Sequence, residues 1–167
     1  MDKGFDDKLR KEHETGWLEL LFVYFHRELT HGHFFRTAAD NWSMYRRGGV
    51  FLSKGKPRFW NKPASNDKRL PLMDYHSVEA RKVMERKEIV SGRLIVEHAV
   101  PISQLQKIIR EHRPTSPKEI EEILCRLYRL GVVTYEEDRR LKKANMPSGW
   151  SRDSGSPYAR YEDAGIA

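Results

Sequence analysis

The fold is decided by the stretch RLIVEHAVP at residues 93–101, read together with VVTYEEDRR at residues 132–140. The first stretch is short, rich in β-branched residues and closed by Pro101, so it predicts a strand. The second begins with two valines that predict a pairing strand. Thr134 and Glu137 have the three-residue spacing of a capping box, which predicts that a helix follows at once. We therefore expect two strands followed directly by a helix.

The residues between these two strands predict a helical insertion. Four apolar residues with helical spacing follow Pro101, and this helix should end before Pro114. The next helix has a complete start signal, with Ser116 as the cap, a proline at the first position and Glu119 three residues after the cap. Its apolar face continues until Gly131, which is a typical stop signal.

The N-terminal half predicts further helices and a basic hairpin. A first helix from about Thr15 presents an apolar face between Trp17 and Phe25, which is broad enough for a core or a homodimer contact. A second helix is expected over 34–46. Residues 50–60 then predict two short strands around a Ser-Lys-Gly-Lys turn, and a charged third helix should cover about 76–88.

These elements predict an α+β fold that is mostly helical, with three regions along the chain. Residues 1–75 form an N-terminal helical region that carries the basic hairpin. Residues 76–146 contain the two strands, the helical insertion and the final helix. Residues 147–167 are rich in Gly, Ser and Pro, and we expect this tail to pack back onto the body through its aromatic residues.

The positive charge of the chain is concentrated in one segment, residues 46–69, which we call the basic segment. It holds eight Lys and Arg residues and a single acid, so it accounts for the whole net charge of +7. Aromatic residues alternate with the cations, a composition suited to phosphates and bases, although a solvated loop is the alternative. The candidate nucleic-acid contacts are Arg46, Arg47, Lys54, Lys56, Arg58, Trp60 and Lys62.

Several classes of protein are excluded by the composition. No apolar run approaches the roughly 20 residues that a membrane-spanning helix needs, so we expect no membrane partner. Residues 1–14 lack the apolar core of a secretory signal. The single cysteine, Cys125, excludes an internal disulfide and a Cys-x-x-Cys zinc site. We therefore expect a cytoplasmic protein in a reducing compartment.

The two stretches that decide the fold resemble one enzyme family. The sequence VEHAVPIS at residues 96–103, together with VVTYEEDRR at 132–140, resembles the HNH branch of the ββα-metal endonucleases. In that family, an acidic residue followed by His ends the first strand before Val-Pro, and a strand ending in Thr leads into a helix with a metal ligand. The resemblance extends over Arg93 to Asn145.

The resemblance implies a role for particular residues. His98 would be the general base that activates water, Glu97 a metal ligand and Asp138 the second ligand. Asn145 could be a substitute ligand or a plain helix C-cap. An imidazole titrates near neutral pH, as such a base requires, and oxygen ligands suit Mg²⁺ or Mn²⁺ as the cofactor.

Structural roles for the same residues stay open at this stage. His98 could be a half-buried strand histidine bonded to a backbone carbonyl, and Asp138 could simply favour the helix N-terminus through the helix dipole. Glu137 is more naturally a capping-box residue than a ligand. His31 and His33 are set aside as a polar turn after a helix.

The sequence therefore leads to one main hypothesis and two others. The main hypothesis is a metal-dependent HNH endonuclease, a hydrolase of phosphodiester bonds in DNA, with RNA not excluded. The second is a non-catalytic nucleic-acid-binding protein that uses the basic segment 46–69. The third is a helical interaction subunit that uses the face from Trp17 to Phe25. The setting, whether restriction, defence, recombination or mobility, is left open.

Overall fold

A computed structural model of the protein describes residues 3–47, 69–86 and 92–167. These residues are mostly helical with one small sheet, which confirms the α+β prediction. The helices are α1 Lys3–His26, α2 Gly32–Arg46, α3 Val78–Glu85, α4 Ile102–His112, α5 Pro117–Leu127, α6 Tyr135–Arg140 and α7 Ala159–Asp163, with a 3₁₀ turn at Leu70–Leu72. The strands are β1 Tyr75–His76, β2 Leu94–His98 and β3 Leu130–Thr134.

The described residues divide into two compact units. The first holds 3–47 and 105–126, and the second holds 69–86, 92–104 and 127–167. The helical insertion between β2 and β3 is therefore largely part of the same unit as α1 and α2. These bounds differ from the three ranges expected from the sequence, because a chain segment joins the unit it packs with and not its neighbours in sequence.

The sheet belongs to the second unit and has the order β1-β3-β2. Strand β3 pairs parallel with β1 and antiparallel with β2. In the β2–β3 pair, Glu97 lies opposite Gly131 and Leu94 lies opposite Thr134. The order β2, β3, α6 follows the strand, strand, helix order expected from the sequence, and the insertion α4–α5 lies between the strands as expected.

The start of α6 confirms the predicted capping box. The Thr134 hydroxyl accepts a hydrogen bond from the Glu137 amide, and the Glu137 carboxylate accepts one from the Thr134 amide. The same carboxylate oxygen also accepts a bond of 2.6 Å from the Ser77 hydroxyl, which caps α3 by accepting from the Ala80 amide. Because one buried group satisfies both helix starts, it ties α3 and α6 together where β1 and β3 end.

The first helix differs from the prediction in its start and at one position of its buried face. It begins at Lys3, not near Thr15. Leu18 and Leu21 are buried, whereas Leu20, which the sequence placed on the apolar face, is 46% exposed. The predicted face is confirmed at Leu21, Tyr24 and Phe25, which are buried, and it is wrong at Leu20, because packing against α2 selects among neighbouring apolar residues. A homodimer through this helix stays a prediction.

Other elements could not be compared or were not expected. The hairpin predicted over 50–60 lies outside the described residues. The two-residue strand β1 and the five-residue helix α7 were not expected, because neither is long enough to show a hydrophobic period. None of the helices in the described ranges combines the length and the apolar character that crossing a membrane requires.

Candidate functional site

The candidate site lies in the second unit, where β2 ends with Glu97 and His98. Adjacent residues of a strand point to opposite faces, so these two side chains enter different surroundings. The Glu97 side chain is 22% exposed, whereas His98 is buried. Their partners come from the beginning of β3 and from the C-terminal tail.

Glu97 is paired with an arginine of the tail. Arg160 in α7 donates from Nη2 to Oε1 of Glu97 at 3.0 Å, and its side chain is only 1% exposed. Its Nη1 donates to the Lys143 carbonyl oxygen at 3.5 Å. A buried guanidinium needs an anionic partner, and a carboxylate supplies one. Glu97 therefore already has a cationic partner within the fold.

Tyr161, next to Arg160, completes the contact between the tail and β2. Its hydroxyl donates to the Glu97 carbonyl oxygen at 3.3 Å, and its ring is buried in a cluster with Ile95 and Val133. Burial raises the pKa of the Tyr161 hydroxyl, and the nearby Glu97 carboxylate raises it further. The ring reaches this position because Gly131 has no side chain: a Cβ there would lie 2.6 Å from the Tyr161 hydroxyl oxygen.

His98 contacts a tyrosine that precedes β3. Its Nε2 lies 3.2 Å from the Tyr128 hydroxyl, and the two rings meet edge to face with centroids 5.4 Å apart. Tyr128 is 1% exposed. The burial of His98 matches the structural role considered for it, and the partner described is the Tyr128 hydroxyl. The role of His98 as a general base stays a prediction.

The other two predicted ligands lie after β3. Asp138 in α6 forms an ion pair of 2.6 Å with Lys143, and its side chain is 14% exposed. Asn145 is exposed and follows α6 by several residues. The C-cap of α6 is Leu141, so the alternative role of Asn145 as the cap of this helix is wrong.

These residues do not fit a divalent cation in the arrangement described. Glu97 holds a guanidinium and Asp138 an ammonium group, so a metal would have to displace a cation from each carboxylate. Within the described ranges, no group of three or more His, Cys, Asp or Glu side chains is placed to hold a metal ion. A metal role for these residues stays a prediction that requires both ion pairs to open.

The basic segment is described only at its two ends. In the first unit, Arg46 forms ion pairs with Glu14 at 3.5 Å and Glu121 at 3.0 Å, and its guanidinium also lies 5.4 Å from the Trp42 ring centroid. Arg47 donates to the Ser43 carbonyl oxygen. Five of the candidate contacts lie outside the described residues: Lys54, Lys56, Arg58, Trp60 and Lys62.

Sequence reasoning missed Arg160 and Tyr128 as partners of the two candidate residues. The tail was expected to pack through its aromatic residues, and the burial of Tyr161 confirms this. The local sequence offers one indication for Arg160: it lies between Tyr158 and Tyr161, in a tail that was expected to pack onto the body. No signal for Tyr128 exists in the local pattern, because a core tyrosine and a hydrogen-bonding tyrosine look the same in sequence.

Comparison with family models, with curated proteins and with solved structures finds no match for this chain.

Proposed function

We propose that the protein binds nucleic acid through the basic segment, residues 46–69. The observation that carries the proposal is the confinement of the whole net charge of +7 to this segment, with aromatic residues between the cations. Such a segment neutralises phosphates and offers flat faces for bases. DNA is the expected partner, and RNA has the same backbone charge.

The described ion pairs limit which cations the proposal uses. Arg46 already neutralises two carboxylates, and Arg69 is buried. An arginine that already has two acidic partners gains less from contact with a phosphate. The proposal therefore rests mainly on Lys54, Lys56 and Arg58, with Lys62 and Trp60 beside them in sequence.

The test is the salt dependence of DNA binding. If the basic segment contacts about four to six phosphates, log K should fall against log[salt] with a slope of about −4 to −5. Changing Lys54, Lys56 and Arg58 together to Ala should flatten that slope by about 3 units. A matched control removes three exposed cations elsewhere, Lys8, Lys11 and Lys118, and should leave the slope unchanged. Equal slopes for the two triple variants would overturn the proposal.

The second candidate is hydrolysis of the bound phosphodiester, as the HNH resemblance implies. The observation that favours it is the order β2, β3, α6 with an acid and His98 at the end of β2. His98 would take the proton from the attacking water. For this step, His98 would have to give up its contact with the Tyr128 hydroxyl and contact the water instead. No step is assigned to a metal, since the carboxylates hold cationic side chains.

Plasmid nicking separates the two candidates. With Mg²⁺ or Mn²⁺ added, the wild type should convert supercoiled plasmid to nicked circles if it is a nuclease. His98→Ala should then lose about 10²- to 10⁴-fold in rate with DNA affinity unchanged, because a general base acts in the transition state. The binding proposal alone expects no nicking by either protein. Full activity of His98→Ala would exclude the assigned base.

A further inference from the structure

A cavity of about 870 Å³ lies in the first unit, between the end of α1 and the end of α4. This volume falls within the range of roughly 300–1,000 Å³ that is typical of small-ligand sites. The lining residues that the structure describes come from residues 22–30 and 110–115. The Glu97–His98 site of the second unit contributes none of them.

One wall of the cavity is aromatic. The ring of Phe22, which is half-buried, stacks on the ring of His26 one helical turn later, with centroids 5.6 Å apart and planes at 24°. Phe25 contributes a second, buried ring. Flat rings at the wall of a cavity favour a flat ligand, because stacking maximises contact area between planar groups.

Two arginines add positive charge to the same cavity. Arg110 is fixed in place: its Nη2 donates to the Leu29 carbonyl oxygen and to the Tyr24 hydroxyl, and its guanidinium lies 5.6 Å from the Phe25 ring centroid. Arg113 is exposed, and within the described part of the chain its guanidinium has no ion pair or hydrogen bond. An anionic group in the cavity could therefore accept directly from Arg113.

The backbone at the cavity adopts the left-handed conformation at two residues. Glu28 and Arg113 have φ values of 52° and 54°, and they are the two non-glycine residues with positive φ in the described ranges. Both line this cavity, and each lies just after a helix end, where glycine is the usual residue. An ordinary residue in this conformation costs about 1–2 kcal/mol. The left-handed conformation of both residues ends the two helices at the wall of the cavity.

We infer that this cavity binds a nucleotide, with its base on the Phe22–His26 wall and its phosphate on Arg113. The inference deepens the proposed function and rests on it, because the nucleotide can be an unstacked one in a bound single strand. A free nucleotide has the same chemistry and is the other source. Among the described lining residues Glu28 is the single acid, so Arg110 and Arg113 leave their side chains net positive.

The first experiment measures which parts of a nucleotide are needed. Calorimetric titrations of the full chain compare deoxyadenosine 5′-monophosphate, deoxyadenosine and ribose 5-phosphate. Deoxyadenosine 5′-monophosphate should bind at least about tenfold more tightly than either fragment, since only it combines stacking with a charged hydrogen bond. Equal affinities for the nucleotide and for ribose 5-phosphate would overturn the inference, because the aromatic wall would then have no role.

The second experiment assigns the two contacts to residues. Arg113→Gln should weaken the nucleotide about tenfold and leave deoxyadenosine unchanged. Phe22→Leu, which keeps an apolar side chain, should weaken both ligands several-fold. Arg27→Gln is the matched control, because Arg27 is also exposed and next to His26 but does not line the cavity. Arg113→Gly should bind as weakly as Arg113→Gln while its melting temperature is unchanged or higher, which excludes misfolding as the cause.

The third experiment distinguishes the two sources and separates the two proposals. A dT₁₂ single strand is titrated against the wild type, Arg113→Gln and the triple variant of the basic segment. A nucleotide of a bound strand predicts that Arg113→Gln weakens dT₁₂ severalfold; a free nucleotide predicts an effect on the mononucleotide alone. If Arg113→Gln alters neither ligand, the cavity inference fails. If the triple variant keeps the wild-type salt slope, the proposed function fails instead.

Discussion

Two glutamates of the second unit lie in the two motifs that decide the fold, and they are held in different ways. Glu137 is buried among neutral donors: the Ser77 hydroxyl at 2.6 Å and the Thr134 amide at 2.8 Å reach the same carboxylate oxygen. Glu97, at the end of β2, is held by the guanidinium of Arg160 at 3.0 Å. Glu137 is therefore stabilised by neutral donors, one three residues away and one 60 residues away, whereas Glu97 is stabilised by a charge that is 63 residues away.

This difference shows which part of a site a local sequence pattern can reveal. The two residues of a capping box lie three positions apart, so the local sequence alone predicts the hydrogen bonds between them. A buried arginine, in contrast, depends on a single distant carboxylate, and losing either partner leaves a charge in a poorly solvated place. We therefore expect substitutions around Glu97 to be costlier than substitutions around Glu137.

The largest effect is expected for Arg160→Met. This change keeps much of the buried side-chain volume but removes the cation that faces Glu97. The free energy of unfolding, measured by urea denaturation, should fall by about 3 kcal/mol. The double variant Glu97→Gln with Arg160→Met should lose less than the sum of the two single changes, because neither partner is then left unpaired.

A surface ion pair provides the matched control for Arg160. Lys142 and Asp163 lie 2.9 Å apart, and their side chains are 60% and 42% exposed. Lys142→Met should change the free energy of unfolding by less than about 0.5 kcal/mol. Similar losses for Arg160→Met and Lys142→Met would show that the Glu97–Arg160 pair adds no more than an exposed pair does.

The same distinction explains how much of the fold could be predicted. The capping box at Thr134, the strand that contains Glu97 and the insertion between the strands all follow from short patterns, and the structure confirms them. The buried face of α1 could be predicted only in part, because choosing among neighbouring apolar residues such as Leu18 and Leu20 depends on packing against α2. The convergence of Glu97 with Asp138 on a metal stays a prediction. The partners that the structure gives these two carboxylates, Arg160 and Lys143, lie outside both sequence motifs, so neither motif predicts them.

The second largest effect is expected for Gly131→Ala, at the position opposite Glu97. The new Cβ would meet the Tyr161 ring, with the Cε2 atom at 2.8 Å and the hydroxyl oxygen at 2.6 Å. Because this ring is buried, it cannot move without disturbing its neighbours, and we expect a loss of about 2 kcal/mol in unfolding free energy. Gly16→Ala is the control, since open space surrounds Gly16 and alanine favours its helix. A loss below about 0.5 kcal/mol at Gly131 would mean that the tail adapts freely.

A smaller effect is expected at the Glu137 end, for Thr134→Val. Valine keeps the shape of the side chain but removes the hydroxyl that accepts from the Glu137 amide at 3.2 Å. The free energy of unfolding should fall by about 1 kcal/mol, and Thr134→Ser, which keeps the hydroxyl, should lose less. If Thr134→Val proved as costly as Arg160→Met, the proposed contrast between local and distant stabilisation would be lost.

The smallest effect concerns pH and uses two tyrosines, one beside each glutamate. Burial raises the pKa of Tyr161, and the Glu97 carboxylate raises it further. Burial also raises the pKa of Tyr75; the Glu137 carboxylate raises this pKa further, whereas Arg81 lowers it. In the unfolded chain both hydroxyls titrate near 10. Below that pH both states are protonated and the full stability is present. As the pH rises above 10, the unfolded state loses protons that the folded state keeps, so the free energy of unfolding falls.

At pH 10.5 each such tyrosine should lower the free energy of unfolding by less than about 1 kcal/mol relative to pH 9. Urea denaturation at pH 9, 10 and 10.5 measures this loss for the wild type, Tyr161→Phe and Tyr75→Phe. Tyr161→Phe should flatten the decline more than Tyr75→Phe, because Tyr161 is 1% exposed while Tyr75 is only half-buried. The two rings contact each other, with centroids 5.1 Å apart, so an equal flattening would indicate that the partial exposure of Tyr75 does not weaken the opposition of their shared surroundings to a new negative charge.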